Sequence, residues 1–393
     1  MTETKYSEAA KDCFVHLCAV WEKWIQDNPW AWSWQAGTTF DALLDYVLYR
    51  QNPDNIKKAN ELADLGLTSF KNGDQDWIWW DDFGWWGIAF LKAYQLCGKN
   101  PKYLEAAEKA WTKMDAGRRV WKDIVKNGWQ SDFAVREPRY LGGVWNKGAS
   151  SSKDWPKPEG YGSDRFKGIQ NAVTNGLYLV LSLRLSRIPE SKIHSDCRKG
   201  ADTVYGWLEK WYGVDLLSPD GDSLIEERVS YYKVEPVPFY SLGAAWAGDQ
   251  GLLLGTLSEY LIIDKKDQQK SELANRLARR VREALVDSYG LMMPWRDPSD
   301  RPQDSQGAMH SDAGDYCTGV GIYMRYFVYA AHHSILVDPV AQFGTFLTQN
   351  ADVVKDPDHL RIHQLECNYS NPYGMNSLAH QLEILNAADV VLG

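Results

Sequence analysis

The run Trp80-Asp81-Asp82-Phe83-Gly84-Trp85-Trp86-Gly87-Ile88-Ala89-Phe90-Leu91-Lys92-Ala93-Tyr94-Gln95-Leu96-Cys97-Gly98, with the segment 101–114 that follows it, decides the fold. Residues 84–96 are apolar nearly all round, and a helix of that kind must be buried on every side. Residues 104–114 instead alternate apolar and charged positions at helical intervals, so that helix keeps one face in water. Gly98 ends the first helix and Pro101 opens the second. The unit is a helix hairpin with one buried and one half-exposed member.

The same unit recurs along the chain. Helices are predicted at 5–26, 39–50, 55–70, 83–97, 101–114, 166–186, 192–211, 250–263, 270–287, 319–333, 340–349 and 372–388. In the first, Ala9, Cys13, Leu17, Val20 and Trp24 form the apolar stripe, and Asp54 is the expected N-cap of the third. Segments 84–96, 172–185, 251–263 and 319–331 are apolar all round, whereas 55–70, 104–114, 192–209 and 271–286 are amphipathic. Buried helices starting at Thr39, Phe83, Phe166, Gln250, Gly319 and Pro372 make about six pairs. Closed in a ring, such hairpins give an all-α toroid with buried inner and amphipathic outer helices. Sustained period-2 alternation is almost absent.

The chain has 393 residues, 44% hydrophobic and 24% charged. Length alone suggests two or three domains. Ser150-Ser151-Ser152 is the nearest candidate linker and is too short to separate any, so residues 1–393 read as a single domain. A net charge of −9 without a basic block argues against nucleic-acid partners. The basic stretch 276–282 lies beside Glu272 and Glu283 and reads as a solvated helix face. No apolar run approaches the roughly 18 residues of a membrane span. The opening Met1-Thr2-Glu3-Thr4-Lys5 lacks a secretory pattern, so the expected location is cytoplasmic. The six cysteines form no C-x-x-C, and the pair His332-His333 belongs to no H-E-x-x-H, so reduced thiols and no metal site are expected. With neither a G-x-G-x-x-G nor a P-loop, no cofactor is expected. A divalent ion held by Asp81, Asp249 and Asp315 is the alternative to that reading. Oligomeric state is not encoded in any motif.

Nineteen tryptophans beside 21 tyrosines and 11 phenylalanines are the compositional anomaly. Many precede the buried helices, among polar residues. The clusters are Trp30, Trp32, Trp34 and Gln35; Trp77, Trp79, Trp80, Asp81, Asp82, Trp85 and Trp86; Gln170, Asn171 and Asn175; Trp246, Asp249 and Gln250; His310, Asp312 and Asp315; and Asn368, Asn371 and Tyr373. In a ring these points converge at one mouth. Aromatic faces cover the C–H faces of sugars, while amides and carboxylates take hydroxyls. The expected partner is therefore an oligosaccharide or polysaccharide.

Asp81 and Asp82 are the sharpest feature. Two adjacent carboxylates among tryptophans suit glycoside hydrolysis, which needs one ionised carboxylate and one protonated acid. The structural alternative is that Asp82 merely caps the helix starting at Phe83.

The segment 80–94, followed by Tyr103-Leu104-Glu105-Ala106-Ala107, resembles the Asp-Asp segment of glycoside hydrolase family 76, the endo-α-1,6-mannanases. Gly142-Gly143-Val144-Trp145, the segment 167–176, the segment 246–255 and Gly319 to Tyr326 fit in the family's order. The resemblance implies an (α/α)6 barrel and a retaining mechanism with Asp81 as nucleophile and Asp82 as general acid/base. Trp79, Trp80, Trp85 and Trp246 would then line the sugar path. Asn171, Asn175 and Gln250 would bind hydroxyls, with Asp249, Asp315 and Tyr373 nearby. The family's Trp-Thr-Tyr-Asn-Gln-Gly segment departs here to Trp246-Ala247-Gly248-Asp249-Gln250-Gly251, which removes a ring and adds a carboxylate. Alternatives are an inverting hydrolase with Asp249 or Asp315 as base, a sugar epimerase or isomerase on the same toroid, and a non-catalytic glycan-binding protein.

Overall fold

The computed structural model describes residues 4–28, 33–73, 79–126, 142–146, 170–217, 224–227, 245–296, 318–355 and 372–393. Twelve helices lie among them: α1 (Ser7–Asp27), α2 (Trp34–Tyr49), α3 (Pro53–Asn72), α4 (Trp80–Leu96), α5 (Pro101–Lys126), α6 (Ala172–Ser186), α7 (His194–Leu217), α8 (Ala247–Ile263), α9 (Gln268–Ala284), α10 (Gly319–His332), α11 (Pro339–Lys355) and α12 (Pro372–Leu392). The strands among the described residues are β1 (Ala245–Trp246) and β2 (Trp295–Arg296), paired antiparallel.

The even-numbered helices pack side by side in the order α2, α4, α6, α8, α10, α12 and back to α2, closing a ring. The odd-numbered helices lie outside: α3 and α5 against α4, α7 against α6, α9 against α8, and α1 and α11 against α12. Burial follows the predicted alternation. α8 is buried until its last two residues, whereas α9 buries only the stripe Leu273, Ala274, Leu277, Ala278 and Val281. The fold is the predicted all-α (α/α)6 toroid, and all six predicted inner helices are the inner ones.

The inner helices run parallel, because the early turns of each meet those of the next. A Cβ on Gly84 would stand 2.8 Å from Leu177 Cβ, and one on Gly176 would stand 2.7 Å from Leu252 Cβ. At Gly251 it would meet Tyr323 Cα at 2.7 Å, and at Gly321 the Cα of His380 at 2.8 Å. Thr39 Oγ1 donates to Asn376 Oδ1 at 3.0 Å and joins the last helix to the first. The N-termini of the inner helices therefore lie on one face.

Further down the ring lies a buried charged hub to which every inner helix contributes. Lys92 Nζ of α4 sits 2.6 Å from Asp41 Oδ1 and 2.5 Å from Asp45 Oδ1 of α2. Arg325 of α10 reaches Asp41 Oδ2 at 2.6 Å, Asp45 Oδ2 at 3.1 Å and Glu383 Oε1 of α12 at 2.9 Å, and donates to Thr38 O. Arg184 of α6 pairs with Glu259 of α8 at 2.6 Å, and Arg187 pairs with the same carboxylate. Burial pushes the Asp41 carboxyl up, but Arg325 and Lys92 outweigh it and hold the group below the usual range. For Glu383 burial wins, and its carboxyl lies well above the ordinary value. Lys92 stands 11 residues after Asp81, which puts the hub about 16 Å along α4 from the acid pair.

Boundaries differ from the predicted ones for local reasons. α3 begins at Pro53, and the cap is Asn52, whose side chain accepts from Asn55 N at 2.9 Å; Asp54 lies in the first turn. The buried stripe of α1 is Ala10, Phe14, Leu17, Cys18, Trp21, Trp24 and Ile25, turned about one residue from the predicted stripe, with Ala9, Cys13 and Val20 at its margin. The helix predicted from 166 starts at Ala172, because Asn171 is its cap; 166–169 lie outside the described residues. Cys13, Cys18, Cys97 and Cys197 are free thiols, and burial pushes Cys13 up to about 12. Among the described residues no helix is long and apolar enough to cross a membrane.

Candidate active site

Asp81 and Asp82 lie inside the first turn of α4, since the helix starts at Trp80 with Trp79 in the cap position. Asp82 is therefore the third helical residue and not the N-cap, which corrects the reading of a helix that starts at Phe83. The first turn gathers unpaired N–H groups and the positive end of the helix dipole, a setting that favours carboxylates. Asp82 is 6% exposed, whereas Asp81 is only half-buried. The two carboxyls thus share a turn but not an environment.

The start of α4 is pinned from outside the helix. Trp80 N donates to Asn146 O at 2.9 Å. The Trp80 ring covers Gly117 of α5, where a Cβ would stand 2.8 Å from ring atom Cζ3 and 2.9 Å from Trp145 O. The same arrangement appears at two further inner helices. Ala172 N, first in α6, donates to Glu227 O at 2.8 Å, and Ala247 N, first in α8, donates to Pro294 O at 2.9 Å.

Asn171 is the N-cap of α6 and accepts from Thr174 N at 3.4 Å. Asn175 and Gln250 correct the expectation that they bind sugar hydroxyls. Asn175 donates from Nδ2 to Val144 O (3.0 Å) and Asn171 O (2.8 Å), and its Oδ1 accepts from Val144 N (2.7 Å). Gln250 donates from Nε2 to Ile225 O (2.7 Å) and Trp246 O (3.0 Å), and its Oε1 accepts from Ile225 N (2.9 Å). Both side chains are fully buried. Each amide clamps a loop segment to the wall of the ring, so neither is presented to a ligand.

The tryptophans divide. Trp79 is partly exposed beside the acid pair, while Trp80, Trp85 and Trp246 are buried. Trp85 leans on Trp34, with ring centroids 6.4 Å apart. Trp246 folds back over its own helix, and a Cβ on Gly248 would stand 2.5 Å from its Cζ3. Its Nε1 edge lies against Gly319 of α10. The absence of a side chain at 248 therefore makes room for the Trp246 ring. Trp21, Trp86, Trp111, Trp145 and Trp207 are core residues, so part of the tryptophan excess is packing.

Asp249 is buried in the first turn of α8, third from its start as Asp82 is in α4. Asp315, His310, Asp312, Trp30, Trp32, Trp77, Asn368 and Asn371 lie outside the described residues. Tyr373 is the second residue of α12; its side chain also lies outside them. Among the described residues no three His, Cys, Asp or Glu side chains cluster as a metal-holding set.

Sequence reasoning missed Asn146 and Glu227, whose carbonyls hold helix starts, because irregular segments carry no periodic signal. The hub was also missed, although Lys92, Arg184, Glu259, Arg325 and Glu383 each interrupt an apolar helix.

No protein-family model matches the chain. A curated mannan endo-1,6-α-mannosidase of Candida glabrata is 24% identical over 242 residues, 58% of this chain. The match spans 44% of that relative's length. Among solved structures, an inactive variant of the family 76 α-1,6-mannanase of Salegentibacter sp. HEL1_6, with two consecutive aspartates replaced by asparagine and α-1,6-mannotriose bound, superposes with a TM-score of 0.61 at 16% identity, covering 96% of this chain and 99% of that one. A family 76 α-mannanase of Bacteroides thetaiotaomicron gives 0.56 at 13% identity, covering 98% and 96%. The fold is thus shared over nearly the whole of both chains, and the family that the sequence motifs resemble is the family of these structures.

Proposed function

We propose that this chain is a family 76 glycoside hydrolase that cleaves α-1,6-linked mannosides with retention of configuration, using Asp81 as nucleophile and Asp82 as general acid/base. The observation that carries the reading is the placement of two consecutive aspartates in the first turn of an inner helix, at the N-terminal end of the inner ring of a toroid shared with α-1,6-mannanases. The proposal equates them with the consecutive aspartates whose replacement accompanies the inactive relative.

Asp81, the more exposed, attacks the anomeric carbon and forms a glycosyl ester as the C–O bond to the leaving sugar breaks. Asp82, the more buried, gives its proton to the leaving oxygen. It then takes a proton from water, which attacks the anomeric carbon, breaks its bond to the Asp81 oxygen and so releases the sugar and frees Asp81. A difference in environment between two carboxyls is what such a division of roles requires. The mechanism asks the two carboxyls to stand about 5–5.5 Å apart. Trp79 is the aromatic surface offered to the sugar. The substrate is an α-manno-oligosaccharide or polysaccharide, and residues 1–393 act as one catalytic unit. Asp249 supports a second reading, an inverting hydrolase in which it is the base, because it occupies in α8 the position Asp82 has in α4.

Single replacements Asp81→Asn and Asp82→Asn, assayed on α-1,6-mannotetraose, test the pair. Each is expected to lower kcat at least about a hundredfold. Turnover near that of the unaltered chain in either variant would overturn the assignment.

A further inference from the structure

We infer that Asn175 is a positioning residue for the Asp81–Asp82 pair, acting through the segment Val144-Trp145-Asn146; the inference rests on the hydrolase reading for its kinetic consequence but not for its geometry. Asn175 belongs to α6 and the acid pair to α4, so the link crosses from one inner helix to the one before it. The Asn175 amide grips Val144 at both its N–H and its carbonyl, as a neighbouring strand would. Two residues later, Asn146 O takes the N–H of Trp80, the residue immediately before Asp81. Between them Trp145 N reaches Gly117 O of α5 at 3.5 Å, and Gly117 lies under the Trp80 ring. The segment is thus held at one end by Asn175 and holds the start of α4 at the other.

The arrangement repeats one helix further on, which marks it as a built device. Gln250 of α8 grips Ile225 at N–H and carbonyl, and Glu227 O, again two residues later, takes the first N–H of α6. In both cases the amide lies four residues after the carbonyl it also caps, Asn171 O for Asn175 and Trp246 O for Gln250. α8 thereby fixes the start of α6, and α6 fixes the start of α4, which carries the acid pair. Catalytic groups displaced by as little as about 1 Å can lose about a hundredfold in rate. A fully buried amide therefore sets reaction geometry without touching the sugar.

The test compares the full chain with its Asn175→Asp variant, which keeps the shape and removes both N–H donors. Two readings are taken: residue-resolved hydrogen exchange at the Trp80 and Val144 amides, and kcat and KM on α-1,6-mannotetraose. The Trp80 amide is expected to exchange faster by roughly tenfold or more, while Val144 N–H, whose acceptor Asp retains, marks whether the segment stays seated. In turn kcat should fall by roughly tenfold to a hundredfold, and KM should stay within about threefold. Unchanged exchange at Trp80 would overturn it, whatever the rate does. A loss confined to KM would also overturn it, since that is the signature of direct sugar binding. If the unaltered chain does not cleave mannotetraose, the hydrolase reading fails, and faster exchange at Trp80 still upholds the positioning link. Should Asn175→Asp fail to fold, Val144→Pro removes the N–H that Asn175 Oδ1 accepts and is read at Trp80 in the same way.

Discussion

Arg325 Nη1 of α10 stands 2.6 Å from Asp41 Oδ2 of α2, joining two inner helices that are not neighbours in the ring. Both side chains are almost wholly buried, and Asp41 also receives Lys92 of α4. Removing one partner of a buried ion pair leaves the other charge without compensation and costs about 3–5 kcal/mol. Asp41→Asn is expected to lose stability in that range. Glu383→Gln should cost less than Asp41→Asn, because burial pushes the Glu383 carboxyl up whereas Arg325 and Lys92 hold Asp41 below the usual range. Chemical denaturation of the two variants checks the order, and equal losses would contradict it.

Asp389 ties the chain's first and last described helices together through Ser7, and this tie is expected to depend on pH. Burial pushes the Asp389 carboxyl up, but hydrogen bonds from Ser7 and Thr4, together with Arg50, outweigh it and hold the group below the usual range. A carboxyl lowered on folding contributes fully above its unfolded value, about 4, and loses that contribution as pH falls through the lowered folded value. The gap in thermal midpoint between the unaltered chain and Asp389→Asn should therefore be constant from about pH 5 to 7 and close below about pH 4. A gap that persists undiminished in strong acid would refute the assignment.

Gly248 and Trp246 form a coupled pair. A methyl group at 248 overlaps the Trp246 ring, so Gly248→Ala should cost about 1–3 kcal/mol through overpacking. In a Trp246→Ala background the same change should cost little, because the ring it strikes is gone. A double-mutant cycle read by denaturation measures the coupling, and additive losses would show that the two positions do not meet.

Much of this architecture is legible in the sequence. An apolar helix such as α4 followed by an amphipathic one such as α5 announces an inner and an outer layer, and six repetitions close the ring. The Asp81–Asp82 pair stands out because carboxylates are rare among tryptophans. Less legible are the roles of amides. Asn175 and Gln250 look like hydroxyl-binding groups in one dimension, and only the folded chain shows Val144 and Ile225 in their grip. The packing of the Trp246 ring over Gly248 is equally hidden in one dimension. Helix starts shifted for a similar reason: the caps are set by loop contacts such as Trp80 N with Asn146 O, which no periodicity encodes.

The central claim, that Asp81 and Asp82 cleave an α-mannosidic bond by double displacement, is tested most directly by the anomer first released from α-1,6-mannotetraose, followed by proton NMR before mutarotation. The α-anomer is expected to appear first. First appearance of the β-anomer would assign an inverting reaction and move the base to another carboxylate such as Asp249, and no cleavage at all would contradict the hydrolase reading itself.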